Sequence, residues 1–468
     1  GEKTGTARVK AVHKTTGKIG YFNVKVNKNA IIVIPGVFGS ELYVGDNNPY
    51  FKSGTALIDQ EMISTLKQLN SDVPLAKKIA LIGAIVLNPL MYSTVQSFVN
   101  DYYDLLQCND DGTSKYDVYT KKYVYVTPTY AAADTEHKNP IYTLPEGYDS
   151  KEYSPHAGNM DSYYDIMNYL HTDSDISKQY SIEYFSYDWR LSNAVSAQKL
   201  DAFIRENGYD RVVLIAHSMG GLVASGYMSM GQEQRNKVKD SYILASPLLG
   251  TPEVINVWAR LDFSSLTGTD AYAAVIDIGN ILLSIMTLTY NPIQKLFSNY
   301  QSVYELFPTE KYIDVSSNPY LLHSVVTVIP VIGDQTDTIC SDYATSMQYI
   351  SGYLPHFNST LMEAAEDFHR SCYINNKHIS DFKGSKYIHM TGQEVTTRLK
   401  YYEVISSDSY SRGMEVDNTA LVGDGLVPYW SATVGKTGSR VESFSGGHMN
   451  AVSYSKVFEY IKDKMGVK

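Results

Sequence analysis

Residues 211–221 read RVVLIAHSMGG and form the most informative stretch of the chain. Residues 212–215 are a short, continuous apolar run, which is typical of a strand buried within a parallel sheet. A helical pattern follows the two glycines, so Ser218 stands at a sharp turn between a strand and a helix. The small residues Ala216 and Gly220 allow the close approach of strand and helix that a strained turn requires. The stretch therefore predicts a serine presented at the tip of a strand–turn–helix unit.

Length and charge narrow the class of protein. The chain has 468 residues, a net charge of −10 and no prominent cluster of lysine and arginine. This length suffices for a large α/β core with insertions, and the acidic balance argues against nucleic acid as a partner. The apolar runs 79–87 and 275–288 are shorter or more polar than the roughly 20 residues of a membrane-spanning helix. We therefore expect neither nucleic-acid binding nor a transmembrane segment.

The three cysteines, Cys108, Cys340 and Cys372, are scattered along the chain. Their spacing indicates neither a disulfide scaffold nor a zinc site. One disulfide with one free thiol fits the sequence, and so do three buried thiols.

Residues 1–28 differ in pattern from the rest. Apolar and polar side chains alternate over 7–12 and 21–26, and a glycine-containing turn separates the two runs, which predicts a β-hairpin. The hairpin resembles the last two strands of a bacterial Ig-like domain, a module of secreted and surface proteins; a hairpin packed on the following domain is the alternative. By this interpretation the chain opens within a domain, and we expect that an upstream part, with any signal peptide, preceded it. We predict a secreted or cell-surface bacterial protein.

Residues 29–468 alternate strand-like runs with helical patterns, which predicts a mostly parallel sheet flanked by helices. Helices are predicted from Ser192 through Ile204 and over 457–465. Three long insertions interrupt the pattern, at about 45–160, 253–300 and 313–380. Apolar stretches within the first two fit either core helices of a cap or a mobile lid that meets lipid when open. The predicted strands are 31–34, 182–187, 212–215, 241–245, 387–390 and 441–444.

A serine hydroxyl becomes a strong nucleophile only when an imidazole takes its proton and a carboxylate orients that imidazole. Downstream of Ser218 the best carboxylate is Asp424, in the turn-forming run VGDGLVP. The best imidazole is His448, in SGGHMN between the last strand and the closing helix. This order of Ser, Asp and His is that of the α/β-hydrolases, whose nucleophile stands on a strand–turn–helix elbow. The alternatives are His389 and His378 as the base, and Asp334 and Asp417 as the acid.

Acyl transfer also needs N–H donors for the oxyanion that develops in the transition state. The N–H of Met219, directly after the serine, is one predicted donor. The second is predicted in the loop PGVFGS, where we favour Val37, with Phe38 as the alternate. A plain Pro-Gly turn is the other interpretation of this loop. His217 is interpreted as structural.

Six motifs occur in one order, and together with His448 they resemble the lecithin:cholesterol acyltransferase family of lipases and phospholipases. The likeness spans about 30–468. The resemblance implies an α/β-hydrolase core with a cap and lid, and ester chemistry on lipids. It carries Ser218, Asp424 and His448 over as the triad, and Val37 and Met219 as oxyanion donors. The motifs are PGVFGS (35–40), YDWR (187–190), AHSMGG (216–221), LGTP (249–252), YELFP (304–308) and GDGLVP (423–428).

Two features of these motifs stand apart. Ala216 takes the place of the family's usual glycine at the start of the elbow. YDWR is the most specific motif of the resemblance, since hydrolases in general do not share it. We interpret Asp188, Trp189 and Arg190 as structural, with an ion pair and a ring that stiffen the loop facing the site.

The sequence thus predicts a serine ester hydrolase acting on acyl esters, with lipids as the favoured substrates and a transient contact with a lipid interface. The mechanism requires no metal or cofactor. An O-acyltransferase, in which a second alcohol replaces water, and a short-chain esterase are the nearest alternatives. An inactive surface adhesin with a hydrolase fold is a more distant one.

Overall fold

The computed structural model describes most of the chain outside the first two insertions. The apolar stretches 76–91 and 271–288, which fit a lid or cap helices in sequence, lie outside the described residues. The described residues are 5–26, 28–44, 48–51, 105–131, 141–158, 160–260, 292–316, 322–329, 333–337, 340, 342–391, 401–406, 412–416 and 423–467.

A six-stranded sheet, parallel throughout, forms the centre of the molecule. Two of its inner strands, Asn29–Ile34 and Arg211–His217, have continuous apolar interiors because both faces of the sheet are covered. Ile32 and Leu214 point into one core, whereas Val33 and Ile215 point into another on the opposite face. Across the sheet the strands run Val441–Ser445, Lys386–Thr391, Val238–Leu244, Arg211–His217, Asn29–Ile34 and Ser181–Tyr184.

The order of the strands fixes where the loops meet. After Asn29–Ile34 the chain adds Ser181–Tyr184 on one side of that strand, and then adds Arg211–His217 on the other. The loops that leave Asn29–Ile34 and Arg211–His217 therefore flank a point where the direction of chain winding reverses. Ligands of open parallel sheets bind at the carboxyl ends of strands beside such a point. Both PGVFGS and Ser218 lie there.

Helices cover both faces of the sheet. Asn193–Glu206 and Gly220–Ser229 pack into one core. Met160–Thr172 and Ser455–Met465 pack into the other. The remaining described helices are Ser174–Ser177, Gln232–Lys237, Glu253–Arg260, Pro292–Phe297, Gln301–Tyr304, Glu310–Ser316, Tyr343–Tyr353, Ser359–Ser371 and Tyr429–Thr433, with 3₁₀ turns at Ile379–Lys383 and His448–Val452.

The predicted parallel α/β architecture is confirmed, with shifts at the ends of elements. Ser192 caps its helix as expected, and its hydroxyl accepts the N–H of Ala194 at 3.1 Å. The strand predicted over 182–187 ends earlier, at Tyr184. It ends there because the chain turns away to the first motif loop, where the Tyr187 N–H donates to the Ser40 hydroxyl at 3.1 Å.

The described residues also form smaller sheets. A hairpin joins Gly5–Val12 to Ile19–Val26 in antiparallel register. A four-stranded sheet combines Leu322–Ile329 and Gly333–Asp337 with Tyr401–Ser406 and Arg412–Val416, and none of these strands was predicted from the sequence. The other strands are Leu42–Val44 with Asn48–Phe51 and Val118–Tyr119, Lys122–Tyr123 with Tyr153–Ser154, and Tyr373–Ile374 with Lys377–His378. The division into a hairpin of 1–28 and a catalytic domain of 29–468, with insertions at about 45–160, 253–300 and 313–380, stays a prediction.

Within the described residues, no helix combines the length and the apolar character that crossing a bilayer demands.

Candidate active site

Ser218 occupies the turn between Arg211–His217 and Gly220–Ser229. Its φ of +54° lies in the left-handed region, which residues other than glycine seldom adopt. The Ser218 N–H donates to the Leu244 carbonyl at 2.9 Å, which ties this strained residue to the neighbouring strand. Strain of this kind persists only where the surrounding structure holds it, as at an elbow that presents a side chain.

The glycines after Ser218 are required by space. A Cβ at Gly220 would lie 2.3 Å from the backbone oxygen of Ile34, and a Cβ at Gly221 would lie 2.3 Å from the Ser246 hydroxyl. Ala216, two residues before Ser218, is fully buried, so the core has room for a methyl group at this position. This packing accounts for the glycines and for the departure at Ala216 from the family's usual residue.

Asp424 and His448 lie together beside this turn. The His448 Nδ1 is 2.8 Å from Asp424 Oδ2, and both side chains are buried. Asp424 Oδ1 accepts the N–H groups of Leu426 and Val427 at 2.9 and 2.7 Å. Burial by itself raises the pKa of Asp424, but the charge and hydrogen bond of His448 and the two backbone N–H groups outweigh burial and lower that pKa overall. The carboxylate thus stays ionised, with its geometry fixed by three donors.

His448 is also tied to the strand that carries Ser218. Its ring lies 4.8 Å, centroid to centroid, from the ring of His217, the residue directly before Ser218. Its backbone N–H donates to the Asp424 carbonyl at 3.0 Å. The three residues predicted as a triad are therefore brought to one place, at the carboxyl ends of the strands.

The alternative bases and acids named from the sequence form no pair like that of Asp424 and His448 in the described part of the chain. His389 is buried in a central strand against Tyr429, and within the described residues neither of its ring nitrogens has a hydrogen-bond partner. His378 accepts at Nδ1 from the Ser380 hydroxyl at 2.6 Å. Asp334 belongs to the four-stranded sheet. Asp417 lies outside the described residues.

The loop PGVFGS packs directly against Ser218. A Cβ at Gly36 would lie 2.7 Å from Ser218 Cβ and 3.1 Å from its hydroxyl oxygen. The Gly39 N–H donates to the Gly36 carbonyl at 3.1 Å, and Phe38 has a φ of +59°, so the loop makes a tight turn. Within the described residues the backbone N–H groups of Val37 and Met219 donate to no protein acceptor.

Aromatic side chains hold this loop from the neighbouring strand and the YDWR loop. The Tyr184 hydroxyl donates to the Gly39 carbonyl, and the Tyr187 hydroxyl donates to the Pro35 carbonyl at 2.8 Å. The Trp189 indole donates to the Ser40 carbonyl at 3.2 Å, and its ring contacts Phe38 edge to face. YDWR therefore fixes the backbone of the loop that faces Ser218.

Within YDWR, Asp188 and Arg190 form a fully buried ion pair. The guanidinium donates to both carboxylate oxygens, at 2.7 and 3.0 Å. It also donates to the Leu106 carbonyl at 3.0 Å and to the Ser114 hydroxyl at 2.8 Å. Because these bonds satisfy most of its N–H groups, the pair anchors the loop to residues 105–131 and supports the structural role predicted for it.

The other motifs of the resemblance bond to one another and to the Asp424 turn. The Thr251 N–H donates to the Leu306 carbonyl at 2.8 Å, and the Thr251 hydroxyl donates to the Leu426 carbonyl. A Cβ at Gly250 would lie 2.0 Å from the Phe307 carbonyl oxygen, so only glycine fits. LGTP thus bridges YELFP to GDGLVP through Gly250 and Thr251.

Tyr163 is a residue that sequence reasoning missed. It lies on Met160–Thr172, and its hydroxyl is 2.8 Å from both the Gly36 nitrogen and His217 Nδ1. His217 Nε2 is 3.3 Å from the His448 carbonyl oxygen. Burial, reinforced by the charge of His448, lowers the pKa of His217 to about 3. A tyrosine in a helical pattern gives no signal of such a contact, because the contact depends on the packing of the helix over the sheet.

The cysteines and potential metal ligands add no further site. Cys108, Cys340 and Cys372 are buried free thiols. Burial raises the pKa of Cys108 and Cys372 to about 12, so neither is reactive as a thiolate. Among the described residues there is no cluster of three or more His, Cys, Asp or Glu side chains placed to hold a metal ion.

The parallel sheet, the elbow and the strand-end loops define an α/β-hydrolase fold. A chain of the solved Tle4–Tli4 complex is similar in fold, with a TM-score of 0.52 at 13% identity, over 94% of this chain and 99% of that one. A likeness at this identity concerns the fold.

The family model described as lecithin:cholesterol acyltransferase matches residues 145–313. The resemblance predicted from the motifs is thereby confirmed over these residues, which include YDWR, AHSMGG, LGTP and YELFP. A phospholipase A(1), LCAT3, from Arabidopsis thaliana is 34% identical over 79 residues, which are 15% of this chain and 18% of the plant protein. The chain thus spans less than one fifth of that relative's length.

Proposed function

We propose that the chain is a serine-dependent hydrolase of carboxylic esters, with lipid acyl esters as its substrates. The observation that carries the proposal is the buried Asp424–His448 pair beside Ser218, which stands in a strained elbow conformation. The match of residues 145–313 to the lecithin:cholesterol acyltransferase family model supports ester chemistry on lipids. These residues match the roles that a serine nucleophile, its base and the orienting carboxylate require.

The reaction begins when the Ser218 hydroxyl oxygen attacks the ester carbonyl carbon and His448 takes the hydroxyl proton. The Val37 and Met219 N–H groups, which have no acceptor of their own in the described residues, hold the oxyanion. Asp424 holds the imidazole in one tautomer and stabilises the imidazolium. The tetrahedral intermediate collapses as His448 gives the proton to the leaving alcohol oxygen, and an acyl-enzyme on Ser218 remains.

Water completes the cycle. His448 takes a proton from water, whose oxygen attacks the acyl carbon, and the second intermediate collapses when His448 returns the proton to Ser218. The carboxylic acid leaves and the free serine is regenerated. An alcohol in place of water would turn the same cycle into acyl transfer.

The proposal extends to location and to contact with lipid. We place the protein outside the cell or at its surface, on the likeness of the N-terminal hairpin to an Ig-like module. We assign transient lipid-interface contact to the inserted segments, on the apolar stretches 76–91 and 271–288.

The test is hydrolysis of p-nitrophenyl esters from acetate to palmitate, below and above the aggregation limit of each ester. We expect preference for long chains, a rise in rate at the interface, and loss of activity in Ser218→Ala at matched thermal unfolding. Activity confined to short, soluble esters would contradict the lipid assignment. A parallel assay with an acceptor alcohol, scored by product analysis, separates hydrolysis from acyl transfer.

A further inference from the structure

Two buried side chains, Tyr163 and His217, connect three parts of the site and have no role in the proposed reaction. The oxyanion loop contributes Gly36, the elbow contributes His217, and the base loop contributes His448. Tyr163 stands between the first two, and its side chain is almost fully buried.

The directions of the hydrogen bonds follow from the chemistry of the groups. The Gly36 N–H can only donate, so the Tyr163 oxygen accepts at 2.8 Å and its hydroxyl hydrogen is free to donate to His217 Nδ1, also at 2.8 Å. A neutral imidazole that accepts at Nδ1 carries its hydrogen on Nε2. That hydrogen points to the His448 carbonyl oxygen at 3.3 Å. The result is one continuous path of three hydrogen bonds, each with a matched donor and acceptor.

We propose that Tyr163 and His217 are positioning residues that fix the oxyanion loop and the His448 loop relative to each other across Ser218. This inference rests on the proposed function, because it assigns roles relative to that nucleophile and base. The hydroxyls of Tyr184 and Tyr187 hold other atoms of the oxyanion loop, but Tyr163 differs because its hydroxyl also reaches His217.

The path is placed to act on geometry that matters for catalysis. Gly36 lies against the Ser218 side chain and begins the turn that contains Val37. The His448 backbone is held on both sides, by Asp424 at its N–H and by His217 at its carbonyl. A shift of either loop would move an oxyanion donor or the base, and misplacement of about 1 Å can cost on the order of a hundredfold in rate.

The first variant is Tyr163→Phe, which removes one oxygen and leaves the ring. We expect kcat on a p-nitrophenyl ester to fall about 10- to 100-fold, with KM within about twofold because the path contacts no substrate. The matched control is Tyr304→Phe. The buried Tyr304 hydroxyl likewise accepts a backbone N–H, from Asn358 at 2.8 Å, and donates to the Ser298 carbonyl at 2.9 Å. The control also loses one accepted and one donated hydrogen bond, but away from the oxyanion loop, and its kcat is expected to stay within about twofold.

Two further variants test each end of the path separately and replace the first if Tyr163→Phe does not fold. His217→Gln keeps a donor near Nε2 for the His448 carbonyl and loses the acceptor for Tyr163. His217→Asn keeps the acceptor and loses the donor. We expect each to lower kcat, and the double variant Tyr163→Phe/His217→Gln to be within about twofold of Tyr163→Phe alone, because both remove the same bond.

The outcomes separate this inference from the proposed function. If Ser218→Ala is inactive while Tyr163→Phe and His217→Gln keep the kcat of Tyr304→Phe, the positioning role is overturned and the proposed function stands. If Ser218→Ala retains activity, the proposed function is overturned, and the positioning role that rests on it is overturned as well. Multiplicative losses in the double variant would also overturn the proposal, since they would mean that the two side chains act independently.

Discussion

Asp424 shows how much of this site is set by single residues. Its carboxylate accepts from the His448 imidazole and from two backbone N–H groups. Its backbone carbonyl accepts the backbone N–H of His448. One oxygen is thus used to hold the turn and the other to hold the imidazole. The division explains why an aspartate, with two oxygens at a short reach, suits this position.

We predict that Asp424→Asn keeps the fold and lowers kcat about 10³- to 10⁴-fold, because the amide still accepts at the turn but no longer fixes the tautomer and charge of His448. Steady-state kinetics on a soluble ester would measure the change, with KM within a few-fold. Asp175→Asn, at a partly exposed ion pair with Lys462, serves as the control and should leave kcat unchanged. A loss of less than tenfold in Asp424→Asn would argue that another acid orients the base.

Gly36→Ala tests the contact between the oxyanion loop and the nucleophile. The new methyl group would lie 2.7 Å from Ser218 Cβ, which forces the loop away from the serine. We expect kcat/KM to fall by a hundredfold or more. Gly352→Ala, in a helix where a Cβ meets nothing within 4 Å, is the matched control and should keep full activity. Equal kinetics in both variants would contradict the packing described for the loop.

At the scale of elements, motif loops are held by buried charges as well as by packing. Asp188 and Arg190 are each at most 2% exposed, and their pairing anchors the loop that clamps PGVFGS. We predict that Arg190→Met lowers the free energy of unfolding by ~3–5 kcal/mol, because it leaves Asp188 buried and unpaired. Urea unfolding would measure the loss, and Asp188→Asn/Arg190→Met should recover part of it.

The control for that prediction is Arg370→Met, which removes an exposed partner of Glu366 and Asp367. We expect no measurable change in stability, since exposed ion pairs contribute little. If Arg190→Met proved as mild as this control, the buried pair would not be an anchor.

A buried carboxyl group links the motif YELFP to the start of Asn193–Glu206, and its protonation makes stability depend on pH. Glu305, from YELFP, accepts from the Ser192 hydroxyl and the Asn193 backbone and side-chain N–H groups at the start of a helix. Burial raises the pKa of Glu305 from 4.5 to about 7 despite these bonds. Between these pH values the folded protein holds a proton that the unfolded chain has lost, so stability decreases as pH rises.

We predict that this contribution to the free energy of unfolding declines by up to ~3 kcal/mol between pH 4.5 and 7. Glu305→Gln should remove it. The advantage of the wild type over the variant should therefore shrink as pH rises, as measured by chemical unfolding at several pH values. An advantage that is constant or grows with pH would contradict the raised pKa.

The sequence predicted elements well where one pattern dominates. The elbow, the six core strands and the position of Ser218 follow from apolar runs and small residues that buried parallel strands demand. It predicted none of the strands of the four-stranded sheet, in which Leu322–Ile329 pairs with Tyr401–Ser406, because local patterns do not show which distant segments of the chain pair. Tyr163 was missed for the same reason. Asp424 and His448 were predicted from chain order, and the contact between them became visible only in the structure.

At the scale of the whole molecule, the N-terminal hairpin forms a sheet of its own. Residues 10–21 are all exposed, and its strands pair with each other. After the hairpin, the Lys28 N–H donates to the Asp210 carboxylate at 3.0 Å. We predict that removal of residues 1–26 leaves the unfolding temperature and kcat/KM unchanged, as measured by calorimetry and ester hydrolysis. A large drop in either would mean that the hairpin stabilises the catalytic domain.

The central claim is that Ser218 forms the acyl-enzyme, and covalent labelling tests it most directly. The intact protein is treated with a fluorophosphonate and its mass is measured, and the modified residue is located by peptide mapping. We predict one equivalent of label, on Ser218, and none on Ser218→Ala. Label on a different serine, or full labelling of Ser218→Ala, would contradict the account.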